Sequence, residues 1–172
     1  MATATASQPI SGVSAGRETV IEEVYPSISG SGFGRFLGQL MDCMPVSIGG
    51  VKLSQALFAP IVAPLGVAGY LQLKVTGPAY VLTNRSVVKR ASLGQRMFAS
   101  VPLSEIDNID IQVLSGQEFF QAGDLLLLNS NGDTLMHLEG IPRPDRFRQV
   151  ILDARDARMR SDRSFEIISA RS

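Results

Sequence analysis

The sequence predicts a mainly β domain, an antiparallel barrel or sandwich closed by one C-terminal α-helix and preceded by hydrophobic helical segments. Three observations carry this expectation. From Tyr80 to Gly140, short β-prone runs recur at near-regular spacing between turn residues. From Pro144 onward the apolar period lengthens from that of a strand to that of a helix. Between Lys52 and Lys74 no charged residue occurs, which leaves room for a helix of about twenty residues, enough to cross a bilayer.

Composition narrows the function classes. The 172 residues suit one domain plus a tail or an anchor. Sixteen basic residues balance sixteen acidic ones, so no global field draws the chain to nucleic acid. Cys43 is the single cysteine, which excludes an internal disulfide and a multi-cysteine metal site. His137 is the single histidine, which excludes multi-histidine metal sites and leaves little for acid–base catalysis.

Met1 to about Gly16 is Ala, Thr, Ser and Gly with no apolar period, and residues 1–32 are expected to form a flexible N-terminal tail. The start lacks the basic end and apolar core of a signal peptide. Arg17–Pro26 alternates apolar residues at Val20 and Val24 and fits a short strand or a lead-in turn; Ser27–Gly34 reads as a Ser/Gly linker.

Residues 33–74 are expected to hold an amphipathic helix and a hydrophobic or membrane segment. Phe33, Phe36, Leu37, Leu40, Met41 and Met44 recur at helical spacing, as on a helix packed on a core or lying in a membrane interface. Leu53–Leu73 is strongly apolar but carries Pro60 and Pro64, which membrane helices tolerate better than soluble ones. A spanning helix, a re-entrant or monotopic segment and a buried soluble element all fit it. If it spans, Lys74, Arg85, Lys89 and Arg90 after it outweigh Arg35 and Lys52 before it, which places the C-terminal domain in the cytoplasm.

The β-unit with its closing helix is expected over 75–160. Tyr80–Thr83, Ser86–Arg90 and Met97–Val101 read as three strands, with turns at Asn84-Arg85 and Gly94. Asn108–Leu114 alternates with Ile109, Ile111 and Val113 on one face. Gly123-Asp124 reads as a turn before the buried strand Leu125–Leu128, and Asn131-Gly132 signals a hairpin into Thr134–Leu138. Pro144 and Asp145 suit the first helical positions, with Phe147, Val150, Ile151, Ala154 and Ala157 forming the buried face. Residues 161–172 read as a tail with a small apolar run, Phe165–Ile168, that has no derived place.

A small antiparallel barrel closed by one helix is the arrangement of the pleckstrin-homology (PH) superfold. The runs YVLTNRSVVKR, VPLSEIDNIDI, GQEFFQAGDLLL and LEGIPRPDRFRQVILDAR, in that order, resemble the bacterial PH-like domains that flank membrane segments. The resemblance covers about Tyr70 to Arg160. It implies a PH-like fold beside a membrane anchor and brings no catalytic motif. The chain departs from the family pattern in having one convincing hydrophobic segment, with Asp42 interrupting the first.

Candidate site residues are few. Lys74, Arg85, Lys89, Arg90 and Arg96 fit either contact with anionic lipid headgroups or a solvated strand edge whose charges discourage pairing. Glu105 and Asp107 lie in a turn-rich loop without a partner base, as solvated loop charges do. His137 reads as a packed or half-exposed strand residue, Cys43 as a small buried hydrophobe, and Phe119-Phe120 as a packed cap. No catalytic, cofactor-binding or metal-ligating residue is assigned, and no cofactor is expected. The expected function is a non-enzymatic, membrane-associated PH-like protein. It would act as an interaction or scaffold module on the cytoplasmic face of a bacterial inner membrane. The alternatives are an accessory or assembly subunit of a respiratory or photosynthetic membrane complex, and a peripheral anionic-lipid-binding module. The expected partners are membrane lipid and other membrane proteins or a second copy, with no nucleic acid and no small-molecule substrate.

Overall fold

The computed structural model describes residues 18–44, 47–48, 50–93 and 96–169. The expected tail over Met1–Gly16 and the turn at Gly94 lie outside the described residues. The chain runs through β1 (Val20–Val24), a 3-10 turn (Ile28–Gly30), α1 (Gly32–Asp42), a minimal hairpin of β2 (Ser47–Ile48) and β3 (Val51–Lys52), and α2 (Leu53–Thr76). Six strands follow: β4 (Pro78–Thr83), β5 (Ser86–Ala91), β6 (Met97–Pro102), β7 (Asn108–Gln112), β8 (Ala122–Leu128) and β9 (Thr134–Pro142). The helix α3 (Pro144–Ser169) ends the described chain.

The strands form two main antiparallel sheets, β1-β4-β5-β6 and β7-β8-β9. They share one core, in which Tyr80, Leu82 and Val87 of the first sheet meet Ile109, Leu125, Leu127, Leu138 and Ile141 of the second. Phe147 and Ile151 of α3 complete it, with Val150 and Ala154 packed alongside, four of the five residues expected on the buried face. Each such aliphatic side chain removed from water is worth about 1.5–3 kcal/mol. The fold is therefore mainly β with a closing C-terminal helix. The described sheets remain two ladders rather than one closed barrel.

Four expectations need correction. Residues 20–32 are not a flexible tail: β1 pairs with β4 from Val24↔Tyr80 to Val20↔Thr83, and Ile28 and Ser29 are buried. The helical segment consequently sits inside the β-unit, between its first and second strands, not before it. Asp124 is not a turn residue but a buried member of β8 paired with Gln112. Finally, α3 runs on through residues 161–169, where Arg158 and Asp162 form an i,i+4 ion pair at 2.9 Å.

The β8–β9 hairpin follows the sequence signal. Gly132 takes φ +84, and the Asn129 side-chain oxygen accepts from the backbone N–H groups of Asn131 and Asp133.

Candidate functional site

α1 docks on the β-unit by backbone contact. Its first turn is capped by Ser31, whose hydroxyl accepts from Gly34 N–H at 3.1 Å. A side chain at Gly34 would collide with the Ile28 carbonyl, and one at Gly38 with the Gly116 carbonyl. These two glycines let the helix lie against the 3-10 turn and the 114–117 turn. Leu37 and Met41, beside these glycines on the helix, pack against Val62 of α2, with Phe58, Ala59 and Phe119 around them. Ser54 at the start of α2 donates to the Met41 carbonyl at 2.7 Å, and Lys52 pairs with Asp42 at 2.6 Å.

A polar hub locks the 114–117 turn to the second sheet. Gln117 and Asp124 are buried. The Gln117 amide donates to Asp124 Oδ1 at 2.6 Å, and its carbonyl oxygen accepts from Leu114 N–H at 2.8 Å. The same Oδ1 accepts from Gly140 N–H at 2.8 Å, while Oδ2 lies 3.1 Å from His137 Nε2. Beside it, the Tyr80 hydroxyl accepts from Glu139 N–H at 3.0 Å. Burial of Tyr80 pushes its hydroxyl up to about 12. The oxygens and amide of this hub are spent on the fold, not aimed into a cleft. Sequence patterning missed it because a polar residue after glycine has the signature of a turn.

α2 has the opposite character. It is long and apolar enough to cross a membrane, and only Ser54 and Val62 along it are buried. It stays helical through Pro60 and Pro64. Gly77 alone separates it from β4. Between α2 and the β-unit lies an apolar groove of about 600 Å³, walled by Ala59, Val62 and Gly66 on one side and by Ile28, Phe119 and Pro142 on the other. Phe119 and Phe120, both half-buried, meet edge to face at 5.0 Å and line it rather than capping the core of the β-unit.

The five basic candidates divide between two ends of the first sheet. Lys74 stands on the last turn of α2, its ammonium 5.9 Å from the Tyr70 ring. Lys89 and Arg90 lie opposite Tyr80 and Ala79, and Arg90 opposite Met97 next to Arg96. These four share the end where α2 enters β4. Arg85 sits in the turn at the other end of β4, five residues along a strand rising about 3.3 Å per residue from Pro78. Arg90 pairs with Glu23 at 2.8 Å, which holds the Glu23 carboxyl below its usual range, and Arg96 rests 5.9 Å from the Phe98 ring. At the Arg85 end, the Thr83 and Ser86 hydroxyls donate to Glu18 at 2.8 Å each and lower its pKa.

The remaining candidates are placed simply. Glu105 is exposed in a 3-10 turn after β6, and Asp107 gives its backbone carbonyl to Arg155 of α3 at 2.7 Å. Cys43 is exposed, not buried, just beyond α1. His137 is half-exposed in β9. Among the described residues no group of three or more His, Cys, Asp or Glu side chains converges as a metal site would require.

Fold and surface together define a two-sheet β-unit that carries an exposed apolar helix within its first sheet. No family model, curated protein or solved structure matches the chain.

Proposed function

We propose that the protein is a non-enzymatic interaction module of the PH-like type, held by α2 on the cytoplasmic face of a bacterial inner membrane. One observation carries this: an apolar helix of 24 residues, in which only Ser54 and Val62 are buried, leaves its outer face exposed on an otherwise well-packed β-unit, one residue away from β4. An apolar surface of that extent needs a cover, and lipid is a cover that suits it.

The partner-facing surface is the edge strand β6. It is hydrogen-bonded to β5 on one side, and Met97 and Phe98 are exposed along it. Such an edge can accept a further strand from a second copy or another membrane protein. The grouping of Lys74, Lys89 and Arg96 near the α2–β4 junction favours a subsidiary role for anionic headgroups.

Flotation of the purified chain with neutral and with anionic vesicles tests both parts. Co-flotation with neutral vesicles is expected, strengthened by anionic lipid and returned to the neutral level by Lys74→Glu with Arg96→Glu. A chain that stays at the bottom of both gradients refutes membrane attachment. Indifference to anionic lipid refutes the headgroup role alone.

A further inference from the structure

We infer that α2 lies in the plane of the membrane, embedded in one leaflet by its outer face, rather than crossing the bilayer. The inference rests on the membrane attachment proposed above and assigns its geometry.

The first ground is what the helix midpoint touches. Val62, near the middle of α2, packs on Leu37 and Met41 of α1, and Ile28 lies over Gly66 and Gly69. α1 in turn rests on the Gly116 turn through Gly38, and Gln39 donates to Ser115 at 3.3 Å. In a crossing helix these neighbours would sit at the bilayer centre. Gln39, Ser115 and Glu118 are exposed there, and Arg35 is half-exposed. Exposed polar backbone and charge are costly at that depth.

The second ground is the distribution of side chains around α2. At 100° per residue, Leu57, Pro60, Ile61, Pro64, Leu71 and Val75 form one stripe facing away from the β-unit. Its four large members are each at least half exposed. Ser54, Gln55, Gln72 and Lys74 flank that stripe or face inward. The polar side of this amphipathic surface is supplied by the β-unit itself, as an interfacial anchor requires. Phe33 shares a cleft with Leu65 and widens the apolar face, and Lys74 can reach headgroups along its stem.

The third ground is the pair of prolines on the outer stripe. Pro60 and Pro64 have no N–H, so the Ala56 and Pro60 carbonyls lose their α-helical partners. Among the described residues no second helix covers that face. At the headgroup boundary water reaches these carbonyls; in the hydrocarbon centre nothing would.

Membrane-sidedness labelling tests this. Native Cys43 reports the side before α2, and Cys43→Ser with Asn131→Cys, in the exposed β8–β9 turn, reports the side after it. Each is expressed in a bacterial host and treated with a membrane-impermeant maleimide in intact cells and in sealed inside-out vesicles. The expected result is one compartment for both: protected in cells and labelled in inside-out vesicles, with equal yield in detergent. Labelling of the two cysteines from opposite sides overturns the in-plane geometry and leaves membrane attachment standing. Recovery of both variants in the soluble fraction overturns the attachment and the geometry together.

Discussion

Replacing Asp124 separates the hub's hydrogen bonds from its charge. In Asp124→Ala, two fully enclosed donors lose their acceptor: the Gln117 amide and the Gly140 N–H, now at 2.6 and 2.8 Å from Oδ1. The amide's next acceptor, the Ser29 carbonyl, is at the 3.5 Å limit. His137 is not counted, because its ring is half-exposed and turns to water. Each orphaned buried donor costs about 1–3 kcal/mol, so Ala should cost about 2–6 kcal/mol. For a chain of this size that is a fall of roughly 5–20 °C in Tm. Asp124→Asn keeps an oxygen at Oδ1 for both donors and turns its amide toward His137, whose neutral ring can accept; the loss should stay under about 1.5 kcal/mol. Thermal unfolding followed by circular dichroism in mild detergent reads both. If Ala shifts Tm by less than about 2 °C, the hub does not hold the 114–117 turn. If Asn falls as far as Ala, the charge and not the hydrogen bonds is what matters.

Two further outcomes follow from the same core. Tyr80 has its hydroxyl raised to about 12 against an ordinary value of 10.0. Its folded pKa lies above its unfolded one, so its contribution is full below pH 10 and is lost between pH 10 and 12, by about 2–3 kcal/mol. Tyr80→Phe should flatten that alkaline slope while lowering stability at neutral pH by about 1 kcal/mol through loss of the bond to Glu139 N–H. An unchanged slope in urea titrations across this range would contradict the assignment. Gly38→Val places a branched side chain against the Gly116 backbone and should free α1 from the β-unit, at a cost of about 2 kcal/mol or more. Faster hydrogen exchange over 32–42 with β7–β9 unchanged is the expected signature; uniform protection would refute the close approach.

The sequence carried the local features and lost the distant ones. The strands from Tyr80 to Leu138 were legible because each alternates, or runs apolar, between residues with turn chemistry. The final helix was legible from Pro144 and the spacing of Phe147, Val150, Ile151 and Ala154. Its length was not, because after Ala157 the sequence turns to Arg, Ser and Asp, and the support from the i,i+4 pair Arg158–Asp162 shows only in the fold. β1 was half-visible as alternation at Val20 and Val24, but its partner lies far along the chain, and no local pattern announces such pairing. The basic cluster was read as one group. A two-residue turn after β4 splits it, since reversing the chain sends Arg85 to one end and Lys89 to the other. Asp124 shows the limit most plainly. Its neighbours Gly123 and Gln121 imitate a loop, and only the fold shows that the residue is enclosed.

The insertion of α1 and α2 between β1 and β4 also orders how the molecule is made. Thr19 and Asn84, hydrogen-bonded at 2.9 Å, are 65 positions apart. The ribosome releases β1 first, yet its partner strand follows the whole apolar helix, so under the proposed membrane attachment lipid would meet α2 before the first sheet is complete. Closing so long a loop is slow compared with forming the local β4–β5–β6 meander. Until β1 arrives, the outer rim of β4 from Tyr80 to Thr83 is an open template. An open edge of this kind is the starting point from which first strands are exchanged between copies.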